Sequence, residues 1–139
     1  MKKFKVCFLL TGLLLAFLLT SCGGGAGILT KSPSDVVKWS LNYLKDKNYP
    51  EVIKYYAKKD GTAFTKEDTQ KMTMLLTYAT KELEKKQGLK DVQILEEKKS
   101  EDGNTATVKY KLFYNNGTEE DKDVSLTKVK GDWLMVIGN

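Results

Sequence analysis

Three regimes of hydrophobic patterning succeed one another along the chain. Residues 6–19 are almost unbroken hydrocarbon, behind a start that carries Lys2, Lys3 and Lys5. From Ser32 to about Gln87 apolar positions recur with the 3.6-residue period of a helix. Beyond Gly88 the period drops to two, the signature of half-buried strands.

Ser32-Pro33-Ser34-Asp35 reads as a helix start: Ser32 as the cap, proline in the first turn, and an acid three residues after the cap. The helix is expected to run to about Asp46, with Val36, Val37, Ser40, Leu41 and Leu44 on one stripe and Trp39 and Tyr43 at its margins. Asn48 and Pro50 begin a second, shorter helix in which Val52, Ile53, Tyr56 and Ala57 share a face before Asp60-Gly61 ends it. Thr65-Lys66-Glu67-Asp68 is another capping pattern. The third helix should extend to about Gln87, stopped by Gly88, with Met72, Leu75, Leu76, Ala79 and Leu83 facing the core.

Four strands fit the remainder, at about Asp91 to Lys99, Thr105 to Tyr114, Glu120 to Lys130 and Trp133 to Gly138. Glu101-Asp102-Gly103-Asn104, Asn115-Asn116-Gly117 and Lys130-Gly131-Asp132 supply the residues that tight hairpin turns require. The second strand alternates best, with Ala106, Val108, Tyr110, Leu112 and Tyr114 on one side and Thr107, Lys109 and Lys111 on the other. Helices first and strands afterwards give an α+β fold: three N-terminal helices packed on one face of a four-stranded antiparallel sheet.

The leading apolar run is about 14 residues, short of the roughly 20 that span a bilayer as a helix. Positive start, apolar run and small residues before a cysteine make an export signal. Leu19-Thr20-Ser21-Cys22 resembles the bacterial lipobox, which implies cleavage before Cys22 and acylation of its thiol. The expected organisation is therefore a signal peptide at 1–21, an acylated Cys22 with a glycine-rich tether over 22–32, and one domain over 33–139. The partner implied is a membrane, reached through the acyl chains on Cys22, and the location is the cell envelope. Gly23 rather than aspartate follows the cysteine, so an outer membrane is the expected destination in a cell that has one.

Composition removes whole classes of chemistry. There is no histidine, hence no Ser-His or Cys-His nucleophile and no ordinary zinc site. No phosphate loop and no dinucleotide fingerprint occur, so no cofactor and no metal are expected. Losing Lys2, Lys3 and Lys5 lowers the formal charge from +5 to +2. All basic residues are lysine, which removes the bidentate fork that grips phosphates. No nucleic-acid partner is expected, and Lys85-Lys86 and Lys98-Lys99 read as solvated charge.

The Ser-Pro start, the Leu44-Lys45-Asp46-Lys47-Asn48-Tyr49 link and the ending Leu126-Thr127-Lys128-Val129-Lys130-Gly131-Asp132-Trp133 are similar to the nuclear transport factor 2-like, cystatin-like superfamily. More narrowly, the chain resembles short bacterial lipoproteins of the domain of unknown function 4878 type. That resemblance brings no catalytic set, but the superfamily often encloses a pocket between helices and sheet. A pocket here would draw its wall from Trp39, Tyr110, Leu112 and Tyr114. An enzyme of ketosteroid isomerase or dehydratase kind would also need a carboxylate base in that pocket. Only Glu96, in phase with Val92 and Ile94, is placed to supply it. Asp102, Glu119, Glu120, Asp121 and Asp132 fall in turns or at strand ends. The expectation is a non-catalytic module that binds an apolar small ligand or another envelope protein, with the pocket enzyme as the alternative. A homodimer through the outer sheet face is a further expectation from the superfamily; Phe113 there favours it, and Lys109 and Lys111 oppose it.

Overall fold

The computed structural model describes residues 31–137. Helix α1 spans Pro33–Lys45, α2 Tyr49–Ile53 and α3 Lys66–Lys85, with a two-residue strand β1 at Tyr56–Ala57 between α2 and α3. Strands β2 Leu89–Lys99, β3 Thr105–Tyr114, β4 Glu119–Val129 and β5 Asp132–Val136 follow. Both expected capping boxes form. The Asp35 amide donates to Ser32 Oγ at 3.1 Å while the Ser32 amide donates to the Asp35 carboxylate at 3.1 Å. Thr65 and Asp68 do the same for α3 at 3.1 and 2.9 Å. These bonds satisfy donors that a helix start leaves without intrahelical partners. They and the nearby Lys58 ammonium hold the Asp68 carboxyl at about 2.

The sheet departs from the expected meander. It has five strands in the order β1-β5-β4-β3-β2, antiparallel except that β1 pairs in parallel with β5. The expected second helix is cut short at Ile53, and Tyr56 and Ala57 leave it to become β1. Hydrogen bonds from the Met135 amide to Tyr55 O at 2.8 Å and from Ile137 to Ala57 O at 3.4 Å fix this pairing. Satisfying the open edge of β5 outweighs continuing a short helix. The last strand stops at Val136, and Gly138, its expected end, lies outside the described residues.

Strand β2 carries two register shifts against β3, between Leu89 and Asp91 and between Ile94 and Glu96. Each adds one residue and flips the side chains that follow to the other face. The sheet's inner face packs on α1, with Val36, Val37, Ala106, Val108, Leu126, Trp133 and Met135 buried together. A second cluster joins Leu44, Val52, Met72 and Leu76. On α3 the buried stripe is Met72, Leu76 and Thr80, with Leu83 packed beside it. Leu75 is 58% exposed, contrary to the expected stripe, along with Met74 at 72% and Tyr78 at 65%. The helix is rotated so that Thr80 faces inward, where its hydroxyl donates to Leu76 O at 2.8 Å and accepts from Tyr49 at 3.1 Å.

Candidate functional site

The inner face of β3 is the place where a ligand or substrate would meet both helices and sheet. Its alternation brings Tyr110, Leu112 and Tyr114 to that face as expected, but as packed residues. Leu112 is 5% and Tyr114 3% exposed, and they share a cluster with Leu89 into which Leu41, Leu83, Val92 and Tyr110 pack. Tyr110 also packs against the larger cluster with Tyr55, Tyr56 and Val124. Its hydroxyl is pushed up to about 12, first by burial and then by the neighbouring Tyr56 and Tyr114 and the acids Asp123 and Glu120. Burial likewise raises Tyr56. These phenols are stabilised in the neutral form, as packed tyrosines are.

At one end of that face stands a charged cluster built around Glu120. On β4 the inward positions opposite Leu112 and Tyr110 are Glu120 and Lys122. Tyr114 donates its hydroxyl to the Glu120 carboxylate at 2.7 Å. Lys122 pairs with it at 2.6 Å, and Lys86, from the end of α3, at 2.9 Å. The Lys86 ammonium also lies 4.3 Å from the centre of the Tyr114 ring. Lys86 is placed by the turn that ends α3: Gly88 donates to Leu83 O at 2.8 Å, and Asn116, in the β3–β4 turn, donates to Lys86 O at 3.2 Å. Lys122, Tyr114 and Lys86, in that order of effect, hold the Glu120 carboxyl at about 2. Burial and the Glu120 charge drive the Tyr114 hydroxyl far above the ordinary range.

This cluster is not the one expected from the sequence. Glu120 stands at the end of β4, as its second residue, but it is bound by Tyr114, Lys122 and Lys86 rather than simply solvated, and Lys86 is likewise engaged. The strand-period signal could have placed Glu120 and Lys122 inward, in phase with Val124 and Leu126 on β4. Glu96 is exposed on the outer face and pairs with Lys109 at 3.1 Å. The bulge at Leu95 puts it there, out of phase with Val92 and Ile94. Glu97 takes the inward position opposite Val108. Its carboxylate accepts from the Ser34 amide at 3.0 Å and from the Ser34 hydroxyl. Glu97 thus meets the first turn of α1, where a negative charge complements the helix dipole.

Trp39 is not part of the tyrosine face. It lines a separate surface cleft of about 410 Å³ with Lys31, Asn42, Tyr43 and Tyr55. The Tyr43 and Tyr55 rings stack at 6.0 Å, and the Lys31 ammonium lies 4.9 Å from the Trp39 ring centre and 5.0 Å from that of Tyr55. A larger open cleft of about 660 Å³ runs along the sheet. Thr105, Thr107, Ser125, Thr127, Asp123 and Lys59 line it. Neither cleft includes Tyr110, Leu112 or Tyr114 in its wall. The proposed lipidation residue, Cys22, lies outside the described residues.

The family model described as Domain of unknown function (DUF4878) matches residues 20–136. No curated protein matches the chain. Among solved structures it is similar to a Campylobacter jejuni protein provisionally named an NTF2-like transpeptidase. The two superpose with a TM-score of 0.65 at 21% sequence identity, over 78% of this chain and 100% of the other. At that identity the likeness shows the fold.

Proposed function

We propose, for a chain that belongs to the DUF4878 family and has an NTF2-like α+β fold, that it is a lipid-anchored envelope domain acting through its surface. Cys22 is the anchoring residue, acylated on its thiol and left as the first residue by signal cleavage, and the partner is another envelope macromolecule. The observation that carries this reading is the packed inner face, where Tyr110, Leu112 and Tyr114 are core residues. Filling by the protein's own side chains directs recognition to the outside, where the sheet cleft offers the hydroxyls of Thr105, Thr107, Ser125 and Thr127 beside apolar Val136 and Ile137. The ion pairs of Lys109 with Glu96 and of Lys111 with Glu119 and Asp121 favour a polar partner over a dry homodimer through that face.

Catalytic readings find less support. An isomerase or dehydratase needs a carboxylate that can take a proton near neutral pH. Glu96 is outside, and Glu120, held at about 2 by three donors, is a poor base. The transpeptidase name of the Campylobacter neighbour implies acyl transfer, which needs an activated nucleophile. Among the described residues there is no histidine or cysteine; the hydroxyls of Ser32, Ser34, Ser40 and Ser100 donate to carboxylates, carbonyls or Met135 sulfur, and Ser125 lines the open sheet cleft with no imidazole to activate it.

The test has two arms on the full-length chain. Labelled palmitate should enter the wild type and not Cys22→Ala, which should leave the membrane or keep its signal. A photo-crosslinking residue at Thr107, in the sheet cleft, should give a discrete adduct in native membranes that the same residue at Gln70 on α3 does not. Equal labelling of Cys22→Ala refutes the anchor. Stoichiometric uptake of an apolar ligand that Tyr110→Ala abolishes refutes the surface reading.

A further inference from the structure

We infer that the flank of α1 carrying Lys31, Trp39, Tyr43 and Tyr55, with Lys38 and Lys45 beside it, is the face that seats on an anionic lipid surface. The inference rests on the reading of Cys22 as acylated. Nine residues lie between the Cys22 and Lys31 α-carbons, counting Lys31, so the chain reaches at most about 30 Å. Lys31 is itself held on this flank by the Trp39 and Tyr55 rings. A domain of about 107 residues is roughly 35 Å across by the size scaling of compact chains, so its far side is roughly 55 Å away around the surface. An anchored chain of that reach brings the Trp39 flank, and not the opposite side, to the membrane.

The chemistry of the flank agrees with that placement. Tryptophan and tyrosine are the side chains that settle at the boundary of headgroups and acyl chains, with an apolar ring and a polar tip. Asn42 lines both the aromatic cleft and a neighbouring groove bearing Lys38, Lys45 and Lys90, so aromatic and basic walls adjoin along one helix. None of Lys31, Lys38, Lys45 and Lys90 has a carboxylate within ion-pair distance among the described residues. Among the described residues Lys47, Lys58, Lys86 and Lys111 are paired, whereas Lys59, Lys66, Lys81, Lys98, Lys128 and Lys130 are not, so the flank is set apart by the aromatic wall beside its unpaired lysines rather than by those lysines alone. Cations without local partners next to a membrane are attracted by anionic headgroups. Asp91 in the basic groove opposes this, and Asp35 is engaged in its capping box.

The chain has two tryptophans, Trp39 and the buried Trp133, which makes the test direct. Full-length protein carrying Trp133→Phe is reconstituted through its acyl chains into phosphatidylglycerol-containing vesicles whose lipids are brominated near the headgroup. Trp39 emission should be quenched severalfold more than that of Trp133 in the Trp39→Phe counterpart, and Lys38→Glu with Lys45→Glu should reduce the quenching. Protein that floats with vesicles while Trp39 is quenched no more than Trp133 overturns the face assignment and leaves the anchor standing. Protein that does not float with vesicles overturns the anchor and this inference with it. Should Trp133→Phe fail to fold, the difference between wild type and Trp39→Phe gives the same readout.

Discussion

Replacing Glu120 by glutamine should destabilise the domain by about 2 kcal/mol at neutral pH, and the loss should fade in acid. The carboxyl falls from an ordinary 4.5 to about 2 in the folded chain. At 1.36 kcal/mol per pH unit that fall corresponds to about 3.4 kcal/mol. The side chain is 35% exposed, and solvent screening brings the expected value down to about 2 kcal/mol. Because the folded value is depressed, the stabilisation is present above the unfolded value near 4.5 and is lost as pH falls toward 2. Urea unfolding of wild type and Glu120→Gln, followed by tryptophan fluorescence from pH 7 to pH 2.5, measures the gap directly. A gap under about 0.5 kcal/mol at pH 7, or one that does not change with pH, refutes the reasoning.

The other predictions concern placement. Glu97→Ala should cost about 1 kcal/mol through loss of its bonds to Ser34, whereas Glu96→Ala should cost under about 0.5, as exposed pairs do; equal costs would contradict the bulge at Leu95. Leu76→Ala should destabilise by about 2–4 kcal/mol and Leu75→Ala by about 0.5 or less, since one is core and the other largely exposed. The reverse order in urea titrations would restore the expected stripe. Lys130 sits at φ 51 beside Gly131 at φ 88 in the β4–β5 turn, so Lys130→Gly should raise the melting midpoint by relieving about 1 kcal/mol of left-handed strain. Gly88→Ala should lower it: φ is 91 and the added Cβ would lie 3.3 Å from Asn115 Nδ2. An unchanged midpoint in either variant would count against these turn conformations.

Much of the fold was legible because it rests on local rules. The capping boxes at Ser32 and Thr65, the α1 stripe and the alternation on β3 each depend on spacing within a few residues. The glycines of the three hairpin turns adopt the positive φ their turns require. The candidate site was legible only in part. Tyr110, Leu112 and Tyr114 share a face because they share a strand, whereas Trp39, on a helix margin, lies in another cleft. Glu96 was misplaced because a one-residue bulge reverses every later side chain and leaves no mark in an alternating pattern.

From the sequence alone came the regimes of the chain, the α+β class, the exclusion of histidine chemistry and the expectation of an anchor at Cys22, all carried by composition and short-range periodicity. Only the tertiary structure decided that Tyr56–Ala57 pairs in parallel with β5, that α3 turns Thr80 inward and Leu75 outward, and that Glu120 gathers Tyr114, Lys86 and Lys122. Those outcomes depend on contacts between residues tens of positions apart. Satisfying backbone groups and burying surface across such separations can override the preference of any single segment.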